Sequence, residues 1–333
     1  MTAFLSNLTS RIFSISDDHG FEEMALELFN FQYQHLEVYR KYCDLLNRNK
    51  PQSLREIPFL PIEIFKSHEV VAHLPELQFA NDILFLSSGT TGSVRSAHRV
   101  LEPSIYEMSA VLNFENYFGK LDQMVVCALL PNYIQQGNSS LVYMVDLFIK
   151  QTKDARSGFF LDDITTMLMQ IEAAKSDGKQ VFLFGVSYAL LDLAEQGVDL
   201  SGVYVLETGG MKGRRKELPK EELHSVLKAG LNLNEIYSEY GMTELLSQAY
   251  SKNNEPFQTP PWMRVLLRDE RDPFTFLSND SQKSGGVSVV DLANILSCSF
   301  IHTQDLGKYK GSGFELLGRF DHADIRGCNQ LVF

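Results

Sequence analysis

The stretch Phe85-Leu86-Ser87-Ser88-Gly89-Thr90-Thr91-Gly92 decides how this chain is read. It closes an apolar run that begins at Ile83 and turns at once into six small hydroxyl and glycine residues. Phosphate oxygens carry dense negative charge, which backbone N–H groups hold well when glycine lets the chain come close. The hydroxyls of Ser87, Ser88, Thr90 and Thr91 add donors without bulk. The stretch lacks the Gly-Lys-Ser/Thr ending of a Walker loop. A plain surface turn rich in Ser, Thr and Gly is the competing reading.

Working outward, the next informative segment is Tyr240-Gly241-Met242-Thr243-Glu244. Here Tyr240 can stack on a purine, Gly241 can bring the backbone near phosphate, Thr243 can donate to it, and Glu244 can hold Mg2+ through oxygen. Read alone, the segment is also a core tyrosine followed by a solvated helix-start glutamate. Further on, His302-Thr303-Gln304-Asp305-Leu306-Gly307 places Asp305 where a strand is expected to turn. Its carboxylate can accept both hydroxyls of a ribose, or it is an ordinary turn residue. The fourth segment is Leu317-Gly318-Arg319-Phe320-Asp321, followed by Asp324-Ile325-Arg326-Gly327.

Between these segments the chain alternates. Helical spacing over Gly20–Leu46 predicts one amphipathic helix, followed by a connection bounded by Pro51, Pro58 and Pro61. Strands are predicted at Ile83–Leu86, Met124–Leu130, Val181–Phe184, Val203–Leu206 and Glu235–Tyr237, and helices at Leu141–Lys150, Ala189–Glu195 and Lys220–Ala229. This β/α alternation implies an α/β fold with a layered, largely parallel sheet. After Pro256 short strands at Trp262–Arg268, Gly286–Val290, Ser299–Thr303 and Phe314–Leu317 predict a small β-rich, barrel-like subdomain. The expected division is a large domain over 1–317, its α/β part to about 255 and its β-rich part over 256–317, then a hinge and short tail over 318–333.

The 333 residues carry 42 acidic and 30 basic side chains, a net charge of −12. That excludes a broad nucleic-acid surface and requires any anion site to be built locally. Cys43, Cys127, Cys298 and Cys328 have neither disulfide nor metal spacing, which fits a reducing, cytoplasmic setting. No signal peptide and no transmembrane stretch is expected.

The four segments occur in the order found in the adenylate-forming superfamily of acyl-CoA synthetases, nonribosomal-peptide adenylation domains and firefly luciferase, and the chain resembles that superfamily over roughly Ile83 to Gly327. The resemblance implies ATP and Mg2+ as cofactors and a carboxylic acid as substrate. It makes Ser87, Ser88, Gly89, Thr90, Thr91 and Gly92 the phosphate loop. Tyr240 faces adenine, Thr243 contacts phosphate and Glu244 binds magnesium; Asp305 and Arg319 hold the ribose, and Asp321 sits near the hinge. Gly209 and Gly210 match the glycine pair that walls the adenine and acyl pockets.

Two departures narrow the match. The Pro-Lys-Gly that usually follows the phosphate loop is replaced by Ser93-Val94-Arg95-Ser96, and the lysine-bearing C-terminal domain is not expected here. Ile57-Pro58-Phe59-Leu60-Pro61, the stretch Leu130-Pro131 to Tyr143, and Arg326-Gly327-Cys328 resemble the acyl-protein synthetases that serve the fatty acid reductase of bacterial bioluminescence. Those enzymes form acyl-AMP from a fatty acid and pass the acyl group to a cysteine of their own near the C-terminus; Cys328 stands in the matching position. The missing cation then has to come from Arg95, Arg99 or the run Lys212, Arg214, Arg215 and Lys216, with Lys212 preferred beside Gly209-Gly210; the run also reads as a solvated loop. Two further expectations stay open: transfer to CoA, a carrier or a partner protein, and a non-catalytic subunit that binds nucleotide or acyl chain.

Overall fold

The computed structural model describes residues 3–75, 79, 81–88, 94–130, 138–209 and 218–320. Its helices are α1 (Ala3–Phe13), α2 (Asp18–His35), α3 (Glu37–Leu45), α4 (Pro103–Phe118), α5 (Ser140–Thr152), α6 (Ile164–Ser176), α7 (Ser187–Glu195) and α8 (Lys220–Leu231). Its strands are β1 (Leu60–Pro61), β2 (Ile83–Leu86), β3 (Ala97–Val100), β4 (Met124–Leu129), β5 (Gly158–Phe159), β6 (Gln180–Val186), β7 (Val203–Thr208), β8 (Tyr237–Tyr240), β9 (Ala249–Lys252), β10 (Met263–Arg268), β11 (Gly285–Asp291), β12 (Phe300–Lys310) and β13 (Gly313–Arg319).

The central sheet runs β5-β4-β6-β7-β8-β9. Its first five strands are parallel and β9 returns antiparallel to β8. Every residue of β4 is buried, as is β6 after its first residue, which is how strands covered on both faces read in sequence. On one face Phe114 of α4 and Phe148 of α5 pack against Phe182 and Phe184 of β6, with ring centroids 4.7 to 5.9 Å apart. The second sheet runs β1-β12-β11-β10, with β13 also on β12, and β2 and β3 form a separate hairpin.

The two sheets meet at a buried carboxylate. Asp291, at the end of β11, is fully buried. It accepts hydrogen bonds from the backbone of Leu246 (2.7 Å), Ser247 (2.9 Å) and Ala293 (3.2 Å) and from the Ser247 hydroxyl (2.6 Å). Leu246 and Ser247 lie between β8 and β9, so this side chain satisfies a turn of the first sheet from the edge of the second. Trp262 Nε1 donates to the hydroxyls of Ser109 and Ser247 at 3.0 and 3.1 Å and completes the junction.

Three segments differ from the sequence reading. The helix expected over Gly20–Leu46 is two helices, α2 and α3, separated by Leu36 in extended geometry (φ −101°, ψ 102°). The break persists because the His35 carbonyl, which a continuous helix would use, accepts from the backbone of His73 at 2.8 Å. The strand expected at Glu235–Tyr237 starts and ends later, at Tyr237–Tyr240, because the Ile236 amide is taken by the Asn253 side chain (3.1 Å) and pairing with β7 begins at Tyr237. The strand expected at Ser299–Thr303 runs on to Lys310, so Asp305 lies inside a strand and not at its end. Antiparallel pairing with β13 sustains it and sets Asp305 opposite Arg319.

Candidate active site

A cavity of about 770 Å3 lies at the C-terminal ends of β2, β7 and β8. In α/β sheets this is where ligands bind, because successive strand ends leave a crevice lined by their loops. Leu86, Thr208 and Tyr240, the last residues of those three strands, all line it. So do Ser87, Ser88, Gly209, Tyr240, Thr243, Glu244, Asp305 and Arg319, the predicted site residues that fall within the described chain. Gly89, Thr90, Thr91, Gly92, Gly210, Lys212, Arg214, Arg215, Lys216, Asp321 and Cys328 lie outside the described residues.

The start of the glycine-rich loop is anchored by three hydrogen bonds to two residues. The Leu86 amide donates to the Asn138 carbonyl at 2.8 Å. Ser87 and Ser96 are doubly linked: the Ser87 amide donates to the Ser96 carbonyl (3.0 Å), and the Ser96 amide donates to Ser87 Oγ (2.9 Å). The Ser87 hydroxyl therefore works first as an acceptor that closes the hairpin base, and its own proton is left to donate.

Thr243 and Glu244 are held from the same hairpin. His98 of β3 is buried, and its Nδ1 lies 2.8 Å from the Thr243 carbonyl. That acceptor requires Nδ1 to carry a proton, and in the neutral ring Nε2 is then bare; Nε2 has no hydrogen-bond partner among the described residues. Burial pushes the His98 pKa down to about 4, which keeps this arrangement at neutral pH. Glu244 is only 4% exposed, and Asn294 Nδ2 donates to its carbonyl at 2.9 Å. Burial raises its carboxyl pKa, while Ser96 and the charges of Lys66 and Arg319 act the other way.

The third group joins the two sheets. The Tyr240 hydroxyl donates to Asp305 Oδ2 at 2.8 Å, and Arg319 Nε stands 3.5 Å from Asp305 Oδ1. Arg319 also donates to Gln304 Oε1 at 3.2 Å. Burial raises the Asp305 pKa, opposed by the Tyr240 hydrogen bond and the positive charges of Arg319 and Arg268. Tyr240 is itself 7% exposed and packs edge-on against Phe314, 5.4 Å between centroids. Gly209 takes a positive φ of 61° at the end of β7, and its carbonyl accepts from the Ser187 hydroxyl at 3.1 Å.

Two expectations about cations change, and the reading of three cysteines as core holds. Arg99 is engaged with Glu69 and Asp82 and does not line the cavity. Its guanidinium fork is satisfied by two carboxylates of the surrounding loops, which removes it as the activating cation. Arg95 is exposed and does not line the cavity either. Cys43, Cys127 and Cys298 are buried core residues, as their apolar surroundings in the sequence suggested; burial pushes the thiols of Cys43 and Cys127 up to about 12 and that of Cys298 higher still.

Four lining residues carry no recognisable local signal in the sequence: Glu63, Lys66, Glu239 and Gln248. Glu63 and Lys66 belong to a single 3-10 turn, Ile62–Lys66, that follows β1. The two-residue strand β1 pairs parallel to β12 (Leu60↔Ile301, Pro61↔His302), which carries this turn to Asp305. There Gln304 hydrogen-bonds Glu63. Among the described residues Lys66 and Arg319 are the cations that line the cavity.

The site fits magnesium in a particular way. Among the described residues no three His, Cys, Asp or Glu side chains group closely enough to hold a metal ion. Glu244 is a buried carboxylate with no ion-pair partner among the described residues. One protein carboxylate with the remaining positions left to phosphate oxygens and water is how Mg2+ is commonly held, and Glu244 meets that requirement.

Comparison with known proteins agrees with this geometry. The sequence pattern of the family described as acyl-protein synthetase, LuxE, matches residues 7–332. A long-chain-fatty-acid–luciferin-component ligase of Aliivibrio fischeri is 24% identical over 341 residues, covering 92% of this chain and 86% of its own. Among solved structures, McyG A-PCP complexed with phenylalanyl-adenylate superposes with a TM-score of 0.51 at 14% identity, covering 74% of this chain and 48% of its own. The unliganded O-succinylbenzoate coenzyme A synthetase (MenE) of Bacillus subtilis gives 0.50 at 14% identity, covering 74% and 50%. The chain spans about half the length of these two structures, which share its fold. The family match runs through all four segments from which the reading began, and the chain belongs to the acyl-protein synthetase family, LuxE.

Proposed function

We propose that the protein activates a fatty acid with ATP to acyl-AMP and pyrophosphate, then passes the acyl group to the thiol of Cys328. One observation carries the reading: residues from β2, the turn after β8, β12 and β13 converge on one cavity with a phosphate-type loop base, a buried carboxylate and a tyrosine–aspartate–arginine set.

In the first step a carboxylate oxygen attacks the α-phosphorus, and the bond to the leaving pyrophosphate breaks. Both reactants are anions; two unit charges at ~4 Å repel by about 4 kcal/mol at an effective dielectric near 20. The amides and hydroxyls after β2 hold the phosphates, and Thr243, fixed through His98, donates beside them. Lys66, a lining cation whose charge is felt at Glu244, offsets the charge of the reacting anions, while Asp305 and Arg319 accept and orient the ribose. Glu244 would hold Mg2+, which when bound neutralises charge on the phosphate oxygens. In the second step the Cys328 thiolate attacks the acyl carbon, the bond to AMP breaks, and AMP leaves with the electron pair.

The test is pyrophosphate–ATP exchange driven by added acid, with labelled acyl group then traced onto the protein. Exchange that survives in Cys328→Ser while acyl labelling disappears supports both steps. Labelling that persists in Cys328→Ser assigns the acceptor elsewhere, and CoA or a carrier protein added to the assay identifies it.

A further inference from the structure

Glu63 is an acidic side chain in the wall of a cavity proposed to hold a triphosphate. Its charge alone opposes such a ligand, so what it holds is informative. It sits on the 3-10 turn Ile62–Lys66, which reaches the site through the parallel pairing of β1 with β12. Two residues beyond the Pro61↔His302 pair on each strand, Glu63 and Gln304 come side by side. There Gln304 Nε2 donates to Glu63 Oε1, and Arg319 donates to Gln304 Oε1 at 3.2 Å. Glu63, Gln304, Asp305 and Arg319 all line the cavity.

The chemistry of the two ends fixes the middle. A carboxylate offers only acceptors and a guanidinium only donors, while a side-chain amide has one end of each kind. With its NH2 group claimed by Glu63, Gln304 turns Oε1 toward Arg319. An amide turned the other way would set donor against donor at the guanidinium. The backbone beneath is pinned already. The Phe320 amide donates to the Gln304 carbonyl at 2.8 Å, Arg268 donates to the Thr303 carbonyl at 2.6 Å, and the Asp305 amide donates to Thr303 Oγ1 at 3.1 Å. Arg319 is the loose member. Its side chain is 71% exposed, and its Nε stands 3.5 Å from Asp305 Oδ1, longer than a good charged hydrogen bond. A long, exposed side chain loses much rotamer freedom when it is held, so a second acceptor matters to its placement.

We infer that Glu63 is a positioning residue for the nucleotide: by fixing the Gln304 amide it holds the Arg319 guanidinium beside Asp305 at the ribose. The inference rests on the proposed ribose role of Asp305 and Arg319 and extends that group by two residues. Charge and hydrogen bonding then act in opposite directions at Glu63. Loss of a negative charge near the phosphates by itself tightens ATP binding. Loss of the acceptor that sets the amide weakens it.

The experiment is pyrophosphate–ATP exchange on the full chain, with a long-chain fatty acid saturating and ATP, 2′-deoxy-ATP or 3′-deoxy-ATP varied. Glu63→Leu and Gln304→Met are each expected to raise KM for ATP ~10-fold with kcat little changed. Glu63→Gln, which keeps an acceptor and drops the charge, is expected to restore most of the affinity. The double variant is expected to lose no more than the worse single one, because the two side chains act as one link. The preference for ATP over the deoxy nucleotides is expected to shrink in the same variants, a change that a merely structural loss would not produce. Glu63→Ala serves if the leucine variant fails to fold. A KM for ATP that is unchanged or lowered on loss of the Glu63 carboxylate, or losses that add in the double variant, overturns the inference; a raised KM in Arg319→Gln then leaves the ribose assignment standing. An unchanged KM in Arg319→Gln overturns that assignment and the inference with it. Wild-type protein that exchanges with no fatty acid of any length overturns the acid-activating reading itself, and with it the inference.

Discussion

The hydroxyl of Tyr240 donates to Asp305 Oδ2 at 2.8 Å, so the last residue of β8 in one sheet is fastened to the long strand of the other. The bond completes a carboxylate that Arg319 approaches from the paired strand at 3.5 Å. A hydrogen bond to a charged group is worth about 1.5–3 kcal/mol. Tyr240→Phe is therefore expected to raise KM for ATP ~10-fold or more with kcat little changed, since ribose contacts act alike in ground and transition states. Initial rates of exchange at varied ATP check it; a change confined to kcat contradicts the assignment.

Glu244→Gln keeps the shape of a buried side chain and removes its charge. Exchange is expected to fall ~100-fold or more, in the range seen when one electrostatic contact to a developing charge is lost. The thermal midpoint at neutral pH is expected to hold or rise, because the wild-type carboxylate is desolvated without an ion-pair partner among the described residues. A large drop in the midpoint assigns Glu244 to folding instead.

Lys66→Ala is expected to lower exchange ~10-fold with the loss felt in kcat, and Lys66→Arg to restore most of it, if the charge acts on the reacting anions. Raised salt is expected to shrink the difference between wild type and Lys66→Ala. A variant indistinguishable from wild type returns the role to the Lys212 run.

Stability is expected to depend on pH through His98 and His302. Burial pushes them to about 4 and about 3, from an ordinary value of 6.5. His302 is stacked on Phe59 and bonded to Ser288, and His98 is bonded to the Thr243 carbonyl. Above pH 6.5 neither folded nor unfolded chain protonates them. Below it the unfolded chain takes up protons that the native rings refuse, so stability falls as pH drops toward 4, by at most about 1.4 kcal/mol per histidine per pH unit. Glu239 opposes part of this, since its native pKa of about 7 against 4.5 makes the folded chain the better proton acceptor in between. His98→Asn, which can keep a donor toward Thr243, is expected to flatten the acid limb of a melting-point profile; Glu239→Gln is expected to steepen it.

The alternation of β and α from Met124 onward was legible because strands buried on both faces leave unbroken apolar runs, and β4, β6 and β7 fall where those runs lie. The site was legible where chemistry is concentrated in short segments: Ser87, Tyr240, Thr243, Glu244, Asp305 and Arg319 share the cavity. What the sequence hid is what depends on distant pairing. His98 supports a carbonyl 145 residues away. Lys66 enters the site only because a two-residue strand pairs with β12. The break at Leu36 turns on the remote amide of His73. None of these leaves a periodicity or a motif.

The carboxylate of Asp291 has one more consequence. Four donors grip it where the sheets join, and three of them are backbone groups with no rotamer to lose. Parting the sheets would strip the buried Asp291 carboxylate of its three donors from Leu246 and Ser247, which holds that seam closed. Thr243 and Glu244, just ahead of the gripped turn, are therefore preorganised against the strand bearing Asp305 before any ligand arrives, and binding has little rearrangement left to drive there.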